Sequence, residues 1–263
     1  RFMDWVPENY LEEFDASYHK AANRLVREFT QEFCFEDGSI DWEKLMGWIT
    51  EKRLTIMVGH YGSGKTELAV NLALMLAEKK KRVALADLDV VNPYFRSREK
   101  GELFEEKGIW LVANSKACAD ADVPSMPVEL NTLIQDESIT SIWDVGGDMV
   151  GAKVLARYQP QVIRQDYRML FVLNANRPQT ASVEIAKNYF REIEAVTGLP
   201  IDGIINNTHM CTETRISDIE KGIVLAEKLS QRTGIPVVAH AVEKTIAQEQ
   251  SLREQLGDRL LPI

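Results

Sequence analysis

From residue 54 onward the chain alternates short, nearly unbroken apolar runs with longer stretches of helical period. The apolar runs fall at 54–58, 83–86, 109–112, 139–143, 169–173, 201–205 and 237–239. Runs of this length with little polar alternation predict strands covered on both faces. Helical patterns lie between most of them, notably at 65–80, 181–196 and 216–232. This alternation predicts an α/β fold, a mostly parallel sheet with helices on both faces. Ligands of such sheets bind beyond the carboxyl ends of the strands. No internal repeat and no low-complexity linker divides residues 54–263.

Residues 1–50 read differently. Leu11, Phe14, Tyr18, Ala22, Leu25, Val26 and Phe29 recur at three- and four-residue steps, predicting a helix over about residues 8–35. Gly38 and Ser39 interrupt it, and Asp41 is placed to cap a second short helix holding Trp42, Leu45, Met46 and Ile49. This acidic, aromatic segment reads either as a hairpin packed on the main domain or as a docking arm for a partner or second subunit. At the other end, residues 252–261 are modestly amphipathic without a basic cluster, which predicts packing rather than a membrane-surface helix.

A net charge of -9 disfavours nonspecific binding to nucleic acid. No apolar run approaches the ~20 residues that cross a bilayer, and the chain does not open with a basic and then apolar stretch. Three widely spaced cysteines, Cys34, Cys118 and Cys211, with no CxxC pair, fit a reducing compartment and argue against a single-chain iron–sulfur or structural zinc site. A cytoplasmic location is the expectation.

The most informative segment follows the first apolar run. Gly59-His60-Tyr61-Gly62-Ser63-Gly64-Lys65-Thr66 fits GxxxxGK[ST], the phosphate-binding P-loop, between an apolar strand and an amphipathic helix. Gly59, Gly62 and Gly64 allow a backbone that turns its N–H groups, including that of Ser63, onto phosphate oxygens. The start of the next helix adds a favourable field. Lys65 brings a cation to the β- and γ-phosphates, and the Thr66 hydroxyl is suited to Mg²⁺. The chain thus divides into a helical N-terminal extension, 1–50, and a P-loop nucleotide-binding domain, 51–263.

Acidic residues end two further strands. Asp87 and Asp89 leave the second run, and alternation points them the same way. One of them, with Asp89 favoured, is suited to position the attacking water or a Mg²⁺-bound water. The fourth run ends in Trp143-Asp144-Val145-Gly146-Gly147-Asp148. Asp144 stands where a Walker B carboxylate holds Mg²⁺, directly or through water. Asp144-x-x-Gly147 also resembles a switch II segment, in which a glycine N–H senses the γ-phosphate.

Other signals are thinner. His209 and Cys211 are too few for a metal site by themselves. Arg177 follows the fifth run and is open to contact with nucleotide, with a client or with a surface acid. Residues 119–127, with two prolines and two acids, read as an irregular client-facing loop.

Taken together, the P-loop, the Asp-x-Asp strand end, the Asp-x-x-Gly strand end and a late Asn resemble the MinD and ParA group of P-loop ATPases, over about residues 54–245. The wider class also holds nitrogenase iron protein and dethiobiotin synthetase. The resemblance implies Mg-ATP binding and hydrolysis, often with nucleotide-dependent dimerisation. It gives Lys65 and Thr66 the phosphate and magnesium roles, Asp89 the switch I role and Asp144 the Walker B role. Asn207 becomes the base-contacting residue, with Asn206 as rival. His60 replaces the lysine that many members carry after the first loop glycine, and Val242-Glu243-Lys244 stands where the family often has a Pro-Asp-type turn over the base. The expected function is an ATPase whose nucleotide state controls a protein client, slow by itself because no arginine finger is evident in cis. Alternatives are a small-molecule kinase or ligase with an acceptor pocket at 114–127, a GTPase, and a nucleotide-binding module without hydrolysis.

Overall fold

A computed structural model describes residues 47–48, 51–79, 82–89, 101–113 and 127–263. Within them the chain forms one eight-stranded sheet, all parallel, in the order β3-β2-β4-β1-β5-β6-β7-β8. The strands are β1 (Leu54–Val58), β2 (Val83–Leu88), β3 (Ile109–Ala113), β4 (Thr140–Val145), β5 (Tyr167–Leu173), β6 (Gly203–Asn206), β7 (Val237–Val242) and β8 (Leu260–Pro262). The helices are α1 (Lys65–Lys79), α2 (Gly101–Glu106), α3 (Glu129–Gln135), α4 (Met149–Val162), α5 (Val183–Thr197), α6 (Ile216–Thr233) and α7 (Gln250–Leu256).

All seven apolar runs are strands. β1, β2 and β7 are buried along their whole length, as unbroken apolar runs require when helices cover both faces. The chain steps outward from β1 to β2 and β3, returns to β4 beside β1, and then proceeds on the other side through β5 to β8. With right-handed crossovers, this reversal sends α1 and α2 to one face and α3 to α6 to the other. The two main apolar clusters follow that division. Leu68, Leu72 and Leu76 of α1 and Phe104 of α2 pack with Met57 and Leu85. Leu133 of α3, Leu155 of α4, Phe190 of α5 and Leu229 of α6 pack with Ile56 and Trp143.

The sheet is wholly parallel among the described residues, and β8 extends it beyond the seven expected strands. Residues 252–261 pack as α7 and β8. Leu252, Leu256 and Leu260 join Ile219 and Ile223 of α6 in a third cluster. Of the N-terminal extension only Gly47 and Trp48 are described here, both helical, and the Arg168 guanidinium lies 3.4 Å from the centroid of the Trp48 ring. The rest of residues 1–50, the loop at 119–126, and Cys34 and Cys118 lie outside the described residues. No helix among the described residues is long and apolar enough to cross a membrane.

Candidate functional site

Reversal of chain direction at β1 opens a crevice beyond its carboxyl end, because the loop after β1 turns to one face while those after β4 and β5 turn to the other. The P-loop fills the floor of this crevice. Gly59, Gly62 and Gly64 all have positive φ, at 142°, 73° and 84°. At Gly64 a side chain would also collide, since a Cβ there would lie 2.2 Å from Asn207 Nδ2. Neighbouring side chains hold the loop by its carbonyls. Asn174 Nδ2 and Arg177 Nε donate to the Gly62 carbonyl at 3.2 and 2.9 Å, and Asn207 Nδ2 donates to that of Ser63 at 2.8 Å. The Tyr61 and Ser63 N–H groups are themselves bonded, to the Gly147 and His60 carbonyls, so the amides available to an anion are the remaining ones of the loop and the first of α1, not that of Ser63 as expected.

Charge is concentrated where β1, β2 and β4 end. Lys65 is 7% exposed, and its Nζ donates to the His60 carbonyl at 3.2 Å. Burial lowers the lysine's pKa, while Asp144, Asp89 and Asp148 work against that shift. Asp144, 4% exposed, accepts a hydrogen bond at Oδ2 from the Thr66 hydroxyl at 2.5 Å. Its Oδ1 is buried without a partner. Burial pushes the Asp144 carboxyl up to about 7. Lys65 and the Thr66 bond pull it back, and Asp87 and Asp89 raise it further. Asp87 is the register partner of Asp144 across β2 and β4, and its Oδ1 accepts the Asp89 N–H at 3.2 Å. Asp89 approaches the segment after β4: a Cβ on Gly146 would sit 3.3 Å from Asp89 Oδ1.

That segment lies directly on the P-loop. The Gly147 carbonyl accepts from the Tyr61 N–H at 2.9 Å and from the Tyr189 hydroxyl of α5 at 3.1 Å. A Cβ at Gly147 would come within 2.8 Å of Lys65 Nζ. Asp148 caps α4, its Oδ1 accepting from the Gly151 N–H at 2.9 Å. The His60 ring meets Tyr189 edge-on, with centroids 5.3 Å apart, and its Nδ1 lies 2.9 Å from the Tyr61 carbonyl to which it donates.

Beside Gly64 and Glu67 opens a cavity of about 530 Å³ that extends past Asn207 to Val242 and Glu243. A cavity of this size is ordinary for a small-molecule site. Asn207 lines it and Asn206 does not. Asn206 is instead tied into the core, its Nδ2 3.0 Å from His240 Nδ1 and its Oδ1 accepting from the Thr208 hydroxyl at 2.7 Å. His209 Nδ1 accepts the Cys211 N–H at 3.2 Å, and Cys211 Sγ is 3.8 Å away. Among the described residues, no group of three or more His, Cys, Asp or Glu side chains is arranged to hold a metal ion unaided. The acid-rich end fits Mg²⁺ in a different way. An unpartnered carboxylate oxygen beside a threonine hydroxyl supplies hard oxygen donors, and Mg²⁺ sites usually add water and phosphate oxygens to one or two carboxylates.

The model of the CobQ/CobB/MinD/ParA nucleotide-binding domain matches residues 54–261. The chain belongs to this family. The family stretch runs from the start of β1 into β8. No curated protein matches the chain in sequence. Solved structures share its fold at low identity. Chloroplast FtsY from Physcomitrella patens is 15% identical at a TM-score of 0.50, with 98% of this chain and 87% of that one covered. The signal recognition particle receptor FtsY from Elizabethkingia anophelis is 18% identical at 0.46, with 95% and 70% covered. The signal recognition particle 54 kDa protein from Aeropyrum pernix K1, in complex with GDP, is 19% identical at 0.46, and this chain spans 58% of its length.

The family's expected positions, Lys65, Thr66, Asp89 and Asp144, therefore meet at one point, with Gly59, Gly62, Ser63 and Gly64 beneath them and Asn207 at the cavity wall. Three participants were not anticipated. Tyr189 reaches Gly147 from α5, with no local sequence signal. Asp148 caps α4, and an acid directly before a helical run is a usable cap signal. Asn174 braces the loop, and an Asn directly after a buried strand is the same signal that marked Asn207. Arg177 reaches the P-loop itself, through its Nε bond to the Gly62 carbonyl. The acceptor pocket expected at 114–127 lies outside the described residues apart from Pro127.

Proposed function

We propose that the chain binds and hydrolyses a nucleoside triphosphate with Mg²⁺, and that its nucleotide state controls a protein partner. One observation carries this reading. A nearly buried ammonium, Lys65, sits among more acidic groups than it can neutralise, beside a Thr66–Asp144 pair whose second carboxylate oxygen has no partner. Such an arrangement is costly in a protein that holds nothing there. It is relieved when a divalent cation and a phosphate chain complete the charge pattern.

In this mechanism the loop amides and Lys65 hold the β- and γ-phosphates, and Thr66 and Asp144 hold Mg²⁺. The metal supplies neutralisation of charge on the phosphate oxygens. Asp89, one residue past the end of β2 and next to Gly146, orients the water that attacks the γ-phosphate. Gly147 exchanges its contact with the Tyr61 N–H for one between its own N–H and the γ-phosphate. Because the same carbonyl is bonded to Tyr189, that exchange reaches α5, which gives a route by which occupancy changes an outer helix. ATP and GTP present this end of the site with the same triphosphate.

The test is thermal unfolding with Mg²⁺ and either triphosphate, paired with phosphate release. A ligand at 100 times its dissociation constant stabilises by about 2.7 kcal/mol. In a domain of this size that corresponds to a rise of roughly 5–10 °C. Lys65→Ala is expected to abolish the rise. A variant that keeps it would show that the phosphates bind elsewhere.

A further inference from the structure

Arg177 touches the P-loop with only part of its guanidinium. Its Nε holds the Gly62 carbonyl at 2.9 Å, and a Cβ on Gly62 would lie 3.1 Å from Nη2. The other guanidinium N–H groups sit on the two terminal nitrogens. Among the described residues these nitrogens have no hydrogen-bond partner, and no carboxylate pairs with the side chain.

Arg177 also lines a second cavity, of about 380 Å³, where the end of β5 meets the start of α6. Lys221 of α6 stands on the same wall, its Nζ donating to Asn176 Oδ1 at 2.9 Å. Asp218 is the acid among the lining residues, and both of its oxygens are engaged. Its Oδ1 accepts from Asn176 Nδ2 at 2.8 Å and its Oδ2 from the Arg215 N–H at 2.9 Å. Asn176 is thereby spent at both ends. The cavity is left with two cations, one engaged anion and exposed apolar surface from Met210, Pro178 and Ala181.

A carboxylate complements this wall. It is planar and carries two acceptors, which match a guanidinium fork bidentately. As a monoanion it meets less repulsion from Asp218 than a phosphate dianion would. The apolar rim calls for neighbours that a free anion lacks, and arginine beside methionine is a pairing common at protein interfaces. We infer that this cavity docks an acidic side chain of a protein partner, flanked by apolar residues, and that the docked carboxylate tightens the hold of Arg177 on the P-loop. Nε and the terminal nitrogens share one rigid plane, so a carboxylate on the fork also fixes the donor to Gly62. A loop ordered in advance binds phosphate at less entropic cost, and by reciprocity a bound nucleotide favours the docked carboxylate. The inference rests on the nucleotide-binding reading above and gives its partner a place to bind.

The test uses the full chain and a blocked pentapeptide with one glutamate between two leucines, against its glutamine counterpart. The side-chain Nε–H resonance of Arg177, assigned by its loss in Arg177→Lys, reports the contact in a titration. The glutamate peptide is expected to move that signal and to bind at least about tenfold more tightly than the glutamine peptide, as a charge-assisted bond allows. Saturating Mg²⁺-ADP is expected to tighten it about fivefold or more. Arg177→Lys keeps the charge and loses the fork, so it should remove most of the preference for glutamate and the effect of ADP. Lys221→Gln should weaken the peptide about threefold and leave ADP affinity without peptide unchanged. Equal affinity of the two peptides, inorganic phosphate binding as tightly as the glutamate peptide, or ADP displacing the peptide would overturn the docking inference and leave the phosphate site standing. Peptide affinity indifferent to bound ADP would overturn the link to the P-loop. Absence of ADP binding with the preference for glutamate intact would sink the nucleotide-binding reading and spare the docking surface.

Discussion

At the β1–β4 end of the crevice three charged residues are nearly buried: Lys65, Asp87 and Asp144 are 7%, 5% and 4% exposed. At the β6–β7 end the buried polar residues are neutral, and Asn206, Thr208 and His240 bond to one another in a row. Both ends are equally dry, yet burial acts on them differently. It lifts Asp144 to about 7 and leaves one of its oxygens bare. It drops His240 to about 3, with help from the Arg259 charge, which keeps the ring neutral and lets Nδ1 accept from Asn206. The neutral end also leaves one polar atom without a partner, His240 Nε2, but no charge. An uncompensated buried charge costs far more than one unpaired ring N–H, and this difference marks the first end for chemistry and the second for support.

The largest effect that would sharpen this contrast is expected at Asp89. Asp89→Asn keeps the shape and removes the charge, so turnover should fall about a hundredfold or more while affinity for the triphosphate changes little. Single-turnover phosphate release and a parallel binding titration separate the two. An unchanged rate would remove Asp89 from the reaction.

The neutral end makes its own prediction, about pH. The folded-state pKa of His240, about 3, lies below the ordinary 6.5 of an unfolded chain. Its contribution to stability is therefore complete above pH 6.5 and declines as pH falls towards 3, by about 1.4 kcal/mol per unit. Between pH 7 and pH 5 this one group should cost about 2 kcal/mol. Urea midpoints for the protein and for His240→Leu at both pH values measure it. Parallel losses in the two proteins would mean that the histidine is not buried neutral.

The smallest effect concerns the link between the ends and the outer helix layer. Tyr189→Phe removes the hydroxyl that donates to the Gly147 carbonyl, which should cost about 1 kcal/mol without nucleotide. If the Gly147 peptide leaves Tyr189 when a triphosphate arrives, the loss should be smaller with nucleotide bound. Equal melting-temperature shifts with and without ligand would show that Tyr189 is a passive support.

Sequence pattern revealed the strands because each is a compact apolar run, and it revealed the P-loop because its parts are consecutive. The pattern was silent on β8, whose three residues are too few to show a period. It was also silent on α4, where Gly151 and Pro160 interrupt the apolar spacing. Asp89 and Asp144 were legible as acids placed at strand ends, and Thr66 as the last position of the P-loop pattern. Tyr189 was not, because its role depends on which helix packs over which loop. Nor did composition reveal that Asn207, and not its neighbour, faces the cavity. That choice follows from strand alternation, which turns Asn206 towards His240.

The position of β1 in the middle of the sheet has a consequence for biosynthesis. Its register partners in β4 and β5 arrive 87 and 113 residues later in the chain, and the clamp on the Ser63 carbonyl comes from 144 residues away. A nascent chain that ends short of Asn207 therefore carries an intact phosphate-binding motif with no means of holding it in shape. Nucleotide capture on the ribosome should begin abruptly, only after most of the domain has emerged.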